Sequence, residues 1–493
     1  MSHKKNKKSK GMPLPFDGSA NKRAAEAATM MAEGIPNAID RASWSGKWMF
    51  ILSAAASAVG LGNMWRFPYL AAKYGGGMFI FTYLALVFTF GVSLLILETA
   101  LGRHTQQSVI GSFSAFGKKY KFIGILSAAV PFIIVPYYCI IGGWVGKYLA
   151  SYISNTPAEI ATTDGSFFVN FITSTQSSFI FMLLFMFAAF LVVSLGVKGG
   201  IEKANLVMMP MLLVFALAIT IFVAADPRAW AGIKYYLFPD FSKFSVKLVV
   251  AALGQMFYSL SLAMGIMVTY GSYLDKKENL PNSVAWIGGS DIAVSTLAGL
   301  MIVPAAFIVT GTPELVAAKS GPSLMFITLP DVFLKMGVMA KFIGFVFFTL
   351  VFFAALTSAI SLIETCVSII ADGARWSRRK SLIFTIIFTV LVGVFINLGY
   401  NKLSFIQPLG EGSSLLDFFD FVSSSVLLPI VALLTVIFIG WIIKPKVIID
   451  EVERSASFPV KGIWVLMIKY VAPVLLSIIL VAFMAEALGF IKF

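Results

Sequence analysis

The chain has 493 residues, of which 58% are hydrophobic and only 13% are charged. Together with a mean hydropathy of +0.88, this composition excludes an ordinary water-soluble domain. Repeated apolar runs of about 20 residues, the length that crosses a bilayer core, predict an all-α polytopic membrane protein. The formal net charge is +14, but the basic residues are spread over loops. We therefore interpret them as topology signals and expect no nucleic-acid partner.

Residues 1–43 form a separate basic segment at the start of the chain. Lysines are frequent here, aromatic residues are few, and the short apolar core of a cleavable signal peptide does not follow. We predict a cytoplasmic N-terminal arm that contacts anionic membrane lipid. Cys139 and Cys366 lie inside apolar runs and the chain has only two histidines, so we expect neither a disulfide nor a transition-metal site.

Eleven apolar runs follow this arm in chain order. Clusters of lysine and arginine fall in alternate loops between them, which predicts a cytoplasmic N-terminus, and the odd number of spans then predicts a C-terminus outside. We expect a multi-pass protein of the cell inner (plasma) membrane. The predicted spans are 46–73, 78–101, 122–152, 177–195, 200–224, 248–274, 286–311, 338–371, 381–398, 414–443 and 463–489.

The first span carries two glycines, an asparagine, an arginine and a proline within residues 60–68. Broken helix at membrane depth is tolerated where it lines a cavity or a binding site. Free amides at Leu61 and Gly62 favour an anion such as a carboxylate, whereas free carbonyls near Ala58 favour a cation. The alternative is that the glycines only allow close helix packing, and the neighbouring asparagine and arginine weigh against it.

The sixth span has a similar run of glycine and small residues over 254–265. Because it lies five spans after the first, its direction through the membrane is reversed, as in inverted repeats with two discontinuous helices. We predict a first repeat at 44–224, a second at 225–443 with outer loops, and a final loop and helix at 444–493. Residues 311–337 are expected to fold as a lid on the outer face.

The eighth span places Ala354, Thr357 and Ser358 on one helical face. Two hydroxyls and a carbonyl, together with carbonyls near Ala56 and Val59, form an oxygen-rich set that suits Na+. The alternative is that the hydroxyls bond back to their own helix. The ion hypothesis depends on the neighbouring break in the first span.

Acidic side chains at membrane depth are costly and indicate function by default. Glu98, Asp291 and Glu364 lie within predicted spans, and the alternative is a structural role or a position nearer the membrane surface. Two charge pairs are candidates for gates at the two mouths: Arg66 with Asp417 or Asp420, and Arg41 with Asp372. A nucleophile with its base, or an acidic pair placed for acid–base chemistry, is not recognisable, so we do not expect an enzyme.

Five short motifs resemble those of the neurotransmitter:sodium symporters, in particular their bacterial amino acid transporters. The resemblance extends over residues 41–490, and Gly200 with Pro210 is similar to the family's fifth helix, where local unwinding hydrates the ion path. The motifs lie at residues 41–44, 58–68, 74–77, 137–138 and 354–358.

This resemblance implies the leucine-transporter-type 5+5 inverted repeat with eleven transmembrane helices, and sodium-driven alternating access. Two Na+ sites are implied. Site one comprises Ala58, Asn63, Ser259 and Asp291, and site two comprises Ala56, Val59, Ala354, Thr357 and Ser358. Substrate contacts are implied for Ala58, Leu61, Gly62, Ile134, Tyr138, Tyr258, Ser259, Ser261, Met264, Ser358 and Leu362. Gate residues are implied at Arg66, Asp420 and Gln255 on the outer side, and at Arg41, Asp372, Trp44 and Tyr273 on the inner side.

The chain departs from the leucine transporter at three places. Asp291 stands where that protein has an asparagine and Ser295 where it has a glutamate, so the intramembrane charge has moved, and we expect chloride independence. Met264 replaces a phenylalanine, and a flexible thioether favours medium to large side chains. A twelfth helix is absent from the pattern, which leaves the oligomeric state open.

These expectations combine into one function with two alternatives. The prediction is a Na+-coupled, chloride-independent importer (symporter) of neutral hydrophobic or aromatic amino acids. A sodium-coupled transporter of another small zwitterion or osmolyte is the first alternative. The second is a ligand sensor that keeps the fold without transport.

Overall fold

In a computed structural model, residues 42–162, 164–318 and 321–487 are described, and all named elements within these ranges are helical. The first 41 residues of the predicted arm at 1–43 lie outside the described residues. They include the predicted gate residue Arg41. We number the helices that position the site in chain order. They are α1 Lys47–Ala58, α2 Gly62–Lys73, α3 Gly77–Thr105, α4 Lys118–Ser154, α5 Thr175–Ser194, α6 Val197–Ala224, α7 Val246–Ser259, α8 Ile266–Gly271, α9 Leu280–Thr310, α10 Gly337–Ala374, α11 Arg378–Leu398, α12 Leu415–Ile442, α13 Lys446–Glu453 and α14 Lys461–Ala485.

The described helices agree with the predicted number of spans. Nine of them are long and apolar enough to cross a membrane, and α1 with α2 forms a tenth span that bends by 54° at a short break. Helices α7 and α8 are each shorter than the roughly 20 residues that a bilayer requires. With the unwound residues 260–265 between them, they occupy the predicted sixth span and complete eleven.

Shorter helices connect these spans on both faces of the molecule. The predicted lid at 311–337 is folded largely into two of them, and the Tyr148 hydroxyl in α4 donates to the Phe326 carbonyl of the lid at 2.6 Å. This contact ties the lid to a long central helix. The connecting helices include Val109–Ser114, Pro157–Ile160, Ser166–Thr173, Trp230–Leu237, Glu314–Ala317 and Gly321–Leu334.

Small residues hold α3 and α8 in direct backbone contact. A Cβ atom added to Gly102 would meet the Val268 carbonyl, and one added to Gly271 would meet the Thr99 carbonyl. Glycine is therefore required at both positions for this close packing. The approach brings Glu98 of α3 to the unwound segment that precedes α8.

Candidate substrate and ion site

The break in the first span is held open by the side chain of Asn63. Its Oδ1 accepts from the Gly60 amide at 2.9 Å, while Val59 has extended backbone angles. A Cβ on Gly60 would lie 2.6 Å from the Ser358 Oγ, and one on Gly62 would lie 2.5 Å from the Tyr258 ring. The two glycines are thus required because side chains from α10 and α7 approach this backbone.

Every second residue in the break of the sixth span has left-handed backbone angles. Ser261 has φ 53°, Ala263 has φ 60° and Gly265 has φ 75°. Two of these are not glycine, and such conformations persist only where the surroundings hold them. The buried Glu98 carboxylate accepts from the Ala263 amide at 2.7 Å, and the Ser261 hydroxyl donates to the Ser57 carbonyl at 3.1 Å.

A cavity with an empty volume of about 360 Å³ lies between the two breaks. The structure brings ten of the eleven predicted substrate residues to its wall, and the exception is Ser259. The wall also contains four residues that were not among the predicted substrate contacts: Ser57, Gly60, Ile266, and Asn63, which was predicted for site one. The ten predicted residues are Ala58, Leu61, Gly62, Ile134, Tyr138, Tyr258, Ser261, Met264, Ser358 and Leu362.

One side of this cavity is polar and the rest is mainly apolar. The Leu61 amide donates to the Tyr138 hydroxyl at 3.4 Å, so the amide predicted to hold a carboxylate has a hydroxyl beside it. The apolar remainder includes Ile134, Met264 and Leu362. This arrangement is able to accept a small molecule that has a polar head and an apolar side chain.

A buried cluster around Asp291, which we call the carboxylate cluster, joins α2, α3, α7 and α9. It consists of Asn63, Tyr83, Ser259, Asp291 and Ser295. The Asn63 amide nitrogen lies 2.8 Å from Ser259 Oγ, 2.8 Å from Asp291 Oδ1 and 2.7 Å from Ser295 Oγ. The Ser259 and Tyr83 hydroxyls each donate to Asp291 at 2.5 Å.

Three of the four predicted site-one residues therefore meet in the carboxylate cluster, and the fourth, Ala58, lines the adjacent cavity. Tyr83 was missed, because one aromatic residue among many in an apolar span gives no signal until the facing helix is known. All five side chains of the cluster are buried, with Asp291 fully inaccessible. Asp291 accepts hydrogen bonds from Tyr83, Ser259 and Asn63, and Asn63 turns its amide nitrogen towards the carboxylate while its oxygen binds the Gly60 amide.

A second group of oxygen atoms, which we call the hydroxyl site, lies where α10 meets the break after α1. The Ser358 hydroxyl is 3.1 Å from the Ser57 carbonyl and 3.3 Å from the Val59 carbonyl. The Thr357 hydroxyl is 3.0 Å from the Phe353 carbonyl and 3.1 Å from the Ala354 carbonyl. Thr357 thus bonds back to its own helix, as the alternative reading predicted, whereas Ser358 connects two spans.

The Ser57 carbonyl links the two breaks, since it accepts from both Ser261 and Ser358. Sequence reasoning missed it because a backbone acceptor has no residue-type signal. Ala56, the remaining predicted member of the hydroxyl site, is fully buried one turn before Val59.

One face of the molecule contains a wide vestibule above the cavity, with an empty volume of about 1140 Å³. Tyr258 lines both spaces, so its ring separates them, and the Arg66 guanidinium lies 5.8 Å from the ring centroid. Among the described residues, no nitrogen–oxygen distance of 4.0 Å or less joins Arg66 to Asp417 or Asp420. Asp420 instead accepts from the Tyr137 hydroxyl at 3.0 Å.

The predicted outer gate residues therefore face one another across an open vestibule in this conformation. Gln255 is buried and donates to the Gly62 carbonyl at 3.2 Å. Whether Arg66 and Asp420 pair in another conformation stays a prediction.

The opposite face, which we call the Trp44 face, is closely packed. The Trp44 indole donates to the Tyr270 carbonyl at 3.0 Å, and its ring lies 6.0 Å from Tyr273. Tyr273 donates to Glu364 at 2.8 Å, and Arg378 pairs with the same carboxylate at 2.5 Å. Arg378 was not among the predicted residues, although it belongs to a basic loop cluster that had been interpreted only as a topology signal.

The other predicted members of the inner gate lie on this face. Asp372 accepts from the Ser108 amide at 2.7 Å, while its predicted partner Arg41 is outside the described residues. In this conformation the two faces differ. A vestibule leads from one face towards the cavity, whereas the Trp44 face is closed by packed aromatic rings and by the pair of the buried Glu364 with the partly exposed Arg378.

The comparisons with known proteins agree with this geometry. The model of the sodium:neurotransmitter symporter family matches residues 41–163 and 169–490. The chain belongs to this family. Its members are sodium-dependent transporters of small molecules and not enzymes, so the protein is a multi-pass membrane transporter that uses sodium.

Individual relatives extend over nearly the whole chain. An uncharacterized sodium-dependent transporter of Haemophilus influenzae is 31% identical over 90% of this chain and 98% of its own length. The uncharacterized sodium-dependent transporter YhdH of Bacillus subtilis is 34% identical over 88% of this chain and 96% of its own. A crystal structure of MhsT in complex with L-phenylalanine superposes with a TM-score of 0.79 at 33% identity, covering 90% of this chain and 99% of that one. The expected leucine-transporter-type fold is thereby confirmed.

Proposed function

We propose that this symporter couples Na+ to the import of neutral hydrophobic or aromatic amino acids across the cell inner membrane, independently of chloride. The observation that carries the proposal is the cavity between the two breaks. Its polar side combines the Leu61 amide with the Tyr138 hydroxyl, and its other side is apolar. In this proposal the vestibule opens outwards and the Trp44 face is cytoplasmic. The bound L-phenylalanine of MhsT supports the choice of an aromatic substrate.

Two Na+ ions are assigned to the carboxylate cluster and to the hydroxyl site. The proposal gains support from chemistry, because each group places carboxylate or hydroxyl oxygens next to a broken helix, where free carbonyls add further ligands. The substrate carboxylate would lie beside the Asn63 end of the carboxylate cluster. Substrate and ion then stabilise each other, and this reciprocal stabilisation is a coupling free energy.

The direct test is uptake of labelled phenylalanine and leucine into proteoliposomes, with and without an inward sodium gradient. We expect accumulation only with the gradient, and the same accumulation when gluconate replaces chloride. Accumulation that is unchanged without sodium would overturn the proposal. Sodium-dependent binding without any uptake would instead favour a sensor.

Thr357→Ala is expected to raise the sodium concentration needed for half-maximal substrate binding by about fivefold to tenfold, since one hydroxyl ligand contributes about 1 kcal/mol. Binding of labelled substrate in detergent at varied sodium measures this shift. Thr365→Ala is the matched control, because Thr365 is buried on the same helix, two turns from Thr357. Its hydroxyl also bonds back to its own helix, at the Ser361 carbonyl. An equal shift in both variants would remove Thr357 from the hydroxyl site.

Met264→Phe is expected to weaken binding of phenylalanine by about tenfold while smaller substrates such as alanine are affected less. The added ring occupies part of a cavity that Met264 lines, and overfilling a packed space typically costs 1–3 kcal/mol. Competition by a panel of amino acids measures the change in selectivity. Met267→Leu, at a buried position that does not line the cavity, should leave the order of competitors unchanged.

A further inference from the structure

Lys469 in α14 is a lysine within a membrane span for which the described residues supply no anion. It lies eight residues after Lys461, where α14 begins, which is about 12 Å along the helix axis. Its side chain is half-buried. Among the described residues, no carboxylate lies within 4.0 Å of its Nζ, and no acceptor receives a hydrogen bond from it. Because a charged group inside a membrane span is costly unless it is paired, this ammonium needs a partner.

Two aromatic rings fix the position of this ammonium where α12 meets α14. The Lys469 Nζ lies 4.9 Å from the centroid of the Trp441 ring and 5.7 Å from that of Tyr470. The Trp441 indole donates to the Lys469 carbonyl at 3.0 Å. A Cβ atom on Gly440 would lie 3.4 Å from the Ile468 carbonyl, so the two helices are in close contact. Ring faces attract a cation but carry no net charge, so the ammonium is held in place without a counter-ion.

The lysines near this junction differ in their partners. Lys461, at the start of the same helix, shows the ordinary arrangement, since its Nζ lies 2.8 Å from Glu453 Oε1 in an exposed pair. Lys444 and Lys446 follow the end of α12, and neither has a carboxylate within 4.0 Å among the described residues. The end of α12 is therefore surrounded by unpaired positive charge. Beside it, α12 and α14 expose apolar side chains, which include Ile442, Ile463, Leu466 and Val474.

We propose that the junction of α12 and α14 binds an anionic phospholipid, whose phosphate pairs with the Lys469 ammonium and whose acyl chains lie on the exposed apolar side chains. Lysine binds phosphate as a point charge. Trp441 and Tyr470 are 54% and 51% exposed, and such rings are typical of the level of lipid headgroups. The site uses no ion or substrate contact, so it does not depend on the proposed function. It also differs in sequence from the basic arm at 1–43, the lipid contact that the sequence predicted.

Native mass spectrometry of the full chain in detergent tests this with dioleoyl phosphatidylglycerol and with dioleoyl phosphatidylcholine, which has the same acyl chains but no net charge. We expect the wild type to bind phosphatidylglycerol about fivefold more tightly, the factor that one lysine near a headgroup contributes. Lys469→Gln should abolish this preference, and Lys469→Arg should keep it. Lys461→Gln is the matched control, because it removes the same charge from the same helix at a position already paired with Glu453. It should also keep the preference.

Equal affinity of the wild type for the two lipids would overturn the proposal, and this comparison needs no variant. A preference that survives in Lys469→Gln, or that is lost equally in Lys461→Gln, would overturn it as well. Excess inorganic phosphate should not displace phosphatidylglycerol, since it lacks acyl chains, and displacement would indicate a site for a free anion instead.

Thermal unfolding in detergent separates lipid binding from a structural role of Lys469. Without added lipid, the wild type and Lys469→Gln should unfold at the same temperature, because the substitution removes no ion pair within the described residues. Phosphatidylglycerol should then raise the midpoint of the wild type and of Lys469→Arg, but not that of Lys469→Gln. A midpoint that Lys469→Gln lowers equally with and without lipid would assign the lysine to packing and contradict the proposal.

Discussion

Asp291→Asn is expected to reduce sodium-dependent substrate binding by about 100-fold in chloride-free buffer, equivalent to about 2.7 kcal/mol. The substitution keeps the shape of the side chain but removes the negative charge of the carboxylate cluster. It also replaces one acceptor oxygen by an NH2 donor. Because Asn63, Ser259 and Tyr83 all donate to Asp291 in the wild type, the new donor would face other donors. Binding of labelled phenylalanine in sodium gluconate measures the loss.

Chloride should restore part of this binding in the variant and have no effect on the wild type. With the carboxylate gone, the donors of Tyr83, Asn63 and Ser259 remain in place, and a small anion can accept from them and supply the missing charge. Ser295→Ala is the control, because it removes a neutral neighbour of Asn63 without changing the charge. A wild-type protein that needs chloride, or a variant with unchanged binding, would contradict the role given to Asp291.

The first break was predictable from the sequence because residues that disfavour a membrane helix are concentrated there. The residue types there indicate what each one does. Gly60 and Gly62 allow the side chains of Ser358 and Tyr258 to approach the backbone. Asn63 bonds to the nearby backbone amide of Gly60. The position of the break relative to α10 was also expected from the hydroxyls of Thr357 and Ser358. Local chemistry therefore determines this half of the site.

The second break was less predictable because its conformation depends on distant contacts. Ser261 and Ala263 adopt left-handed angles although neither is glycine, and the Glu98 carboxylate that binds the Ala263 amide is 165 residues away in the chain. Prediction from sequence is also limited where backbone groups form the site. The Ser57 carbonyl contributes to the site, but a carbonyl group is present in every residue and gives no residue-type signal. These features become visible only when the helices are packed.

The gates were only partly predictable from the sequence, because their pairing depends on the conformation of the protein. Arg66 and Asp420 were recognisable as opposite charges near one mouth, but a sequence does not state which conformation brings them together. In the structure they line an open vestibule, while the Glu364 and Arg378 pair is formed at the Trp44 face. Opening of one face and closure of the other is the difference that alternating access requires between two states.

Glu451→Gln is expected to lower the free energy of unfolding by about 3–5 kcal/mol, because it leaves Arg103 charged and buried without an ionic partner. Arg103 is fully inaccessible and its Nε lies 2.8 Å from Glu451 Oε1. The same guanidinium donates to the Glu278 carbonyl and to Ser455. It therefore connects α3, the loop after α8 and the segment that follows α13, and thermal unfolding in detergent would report the loss.

The matched control is Glu453→Gln on the same helix, since its pair with Lys461 is exposed and contributes at most about 1 kcal/mol. Burial opposes ionisation of Glu451, but the hydrogen bond from His104 and the charges of Arg103 and Arg454 outweigh it and hold the pKa of Glu451 below its usual range. The stabilisation is therefore present above about pH 4.3 and is lost as the pH falls through the lowered folded-state pKa. The difference between wild type and Glu451→Gln should shrink in acid, and a difference that grows there would contradict this account.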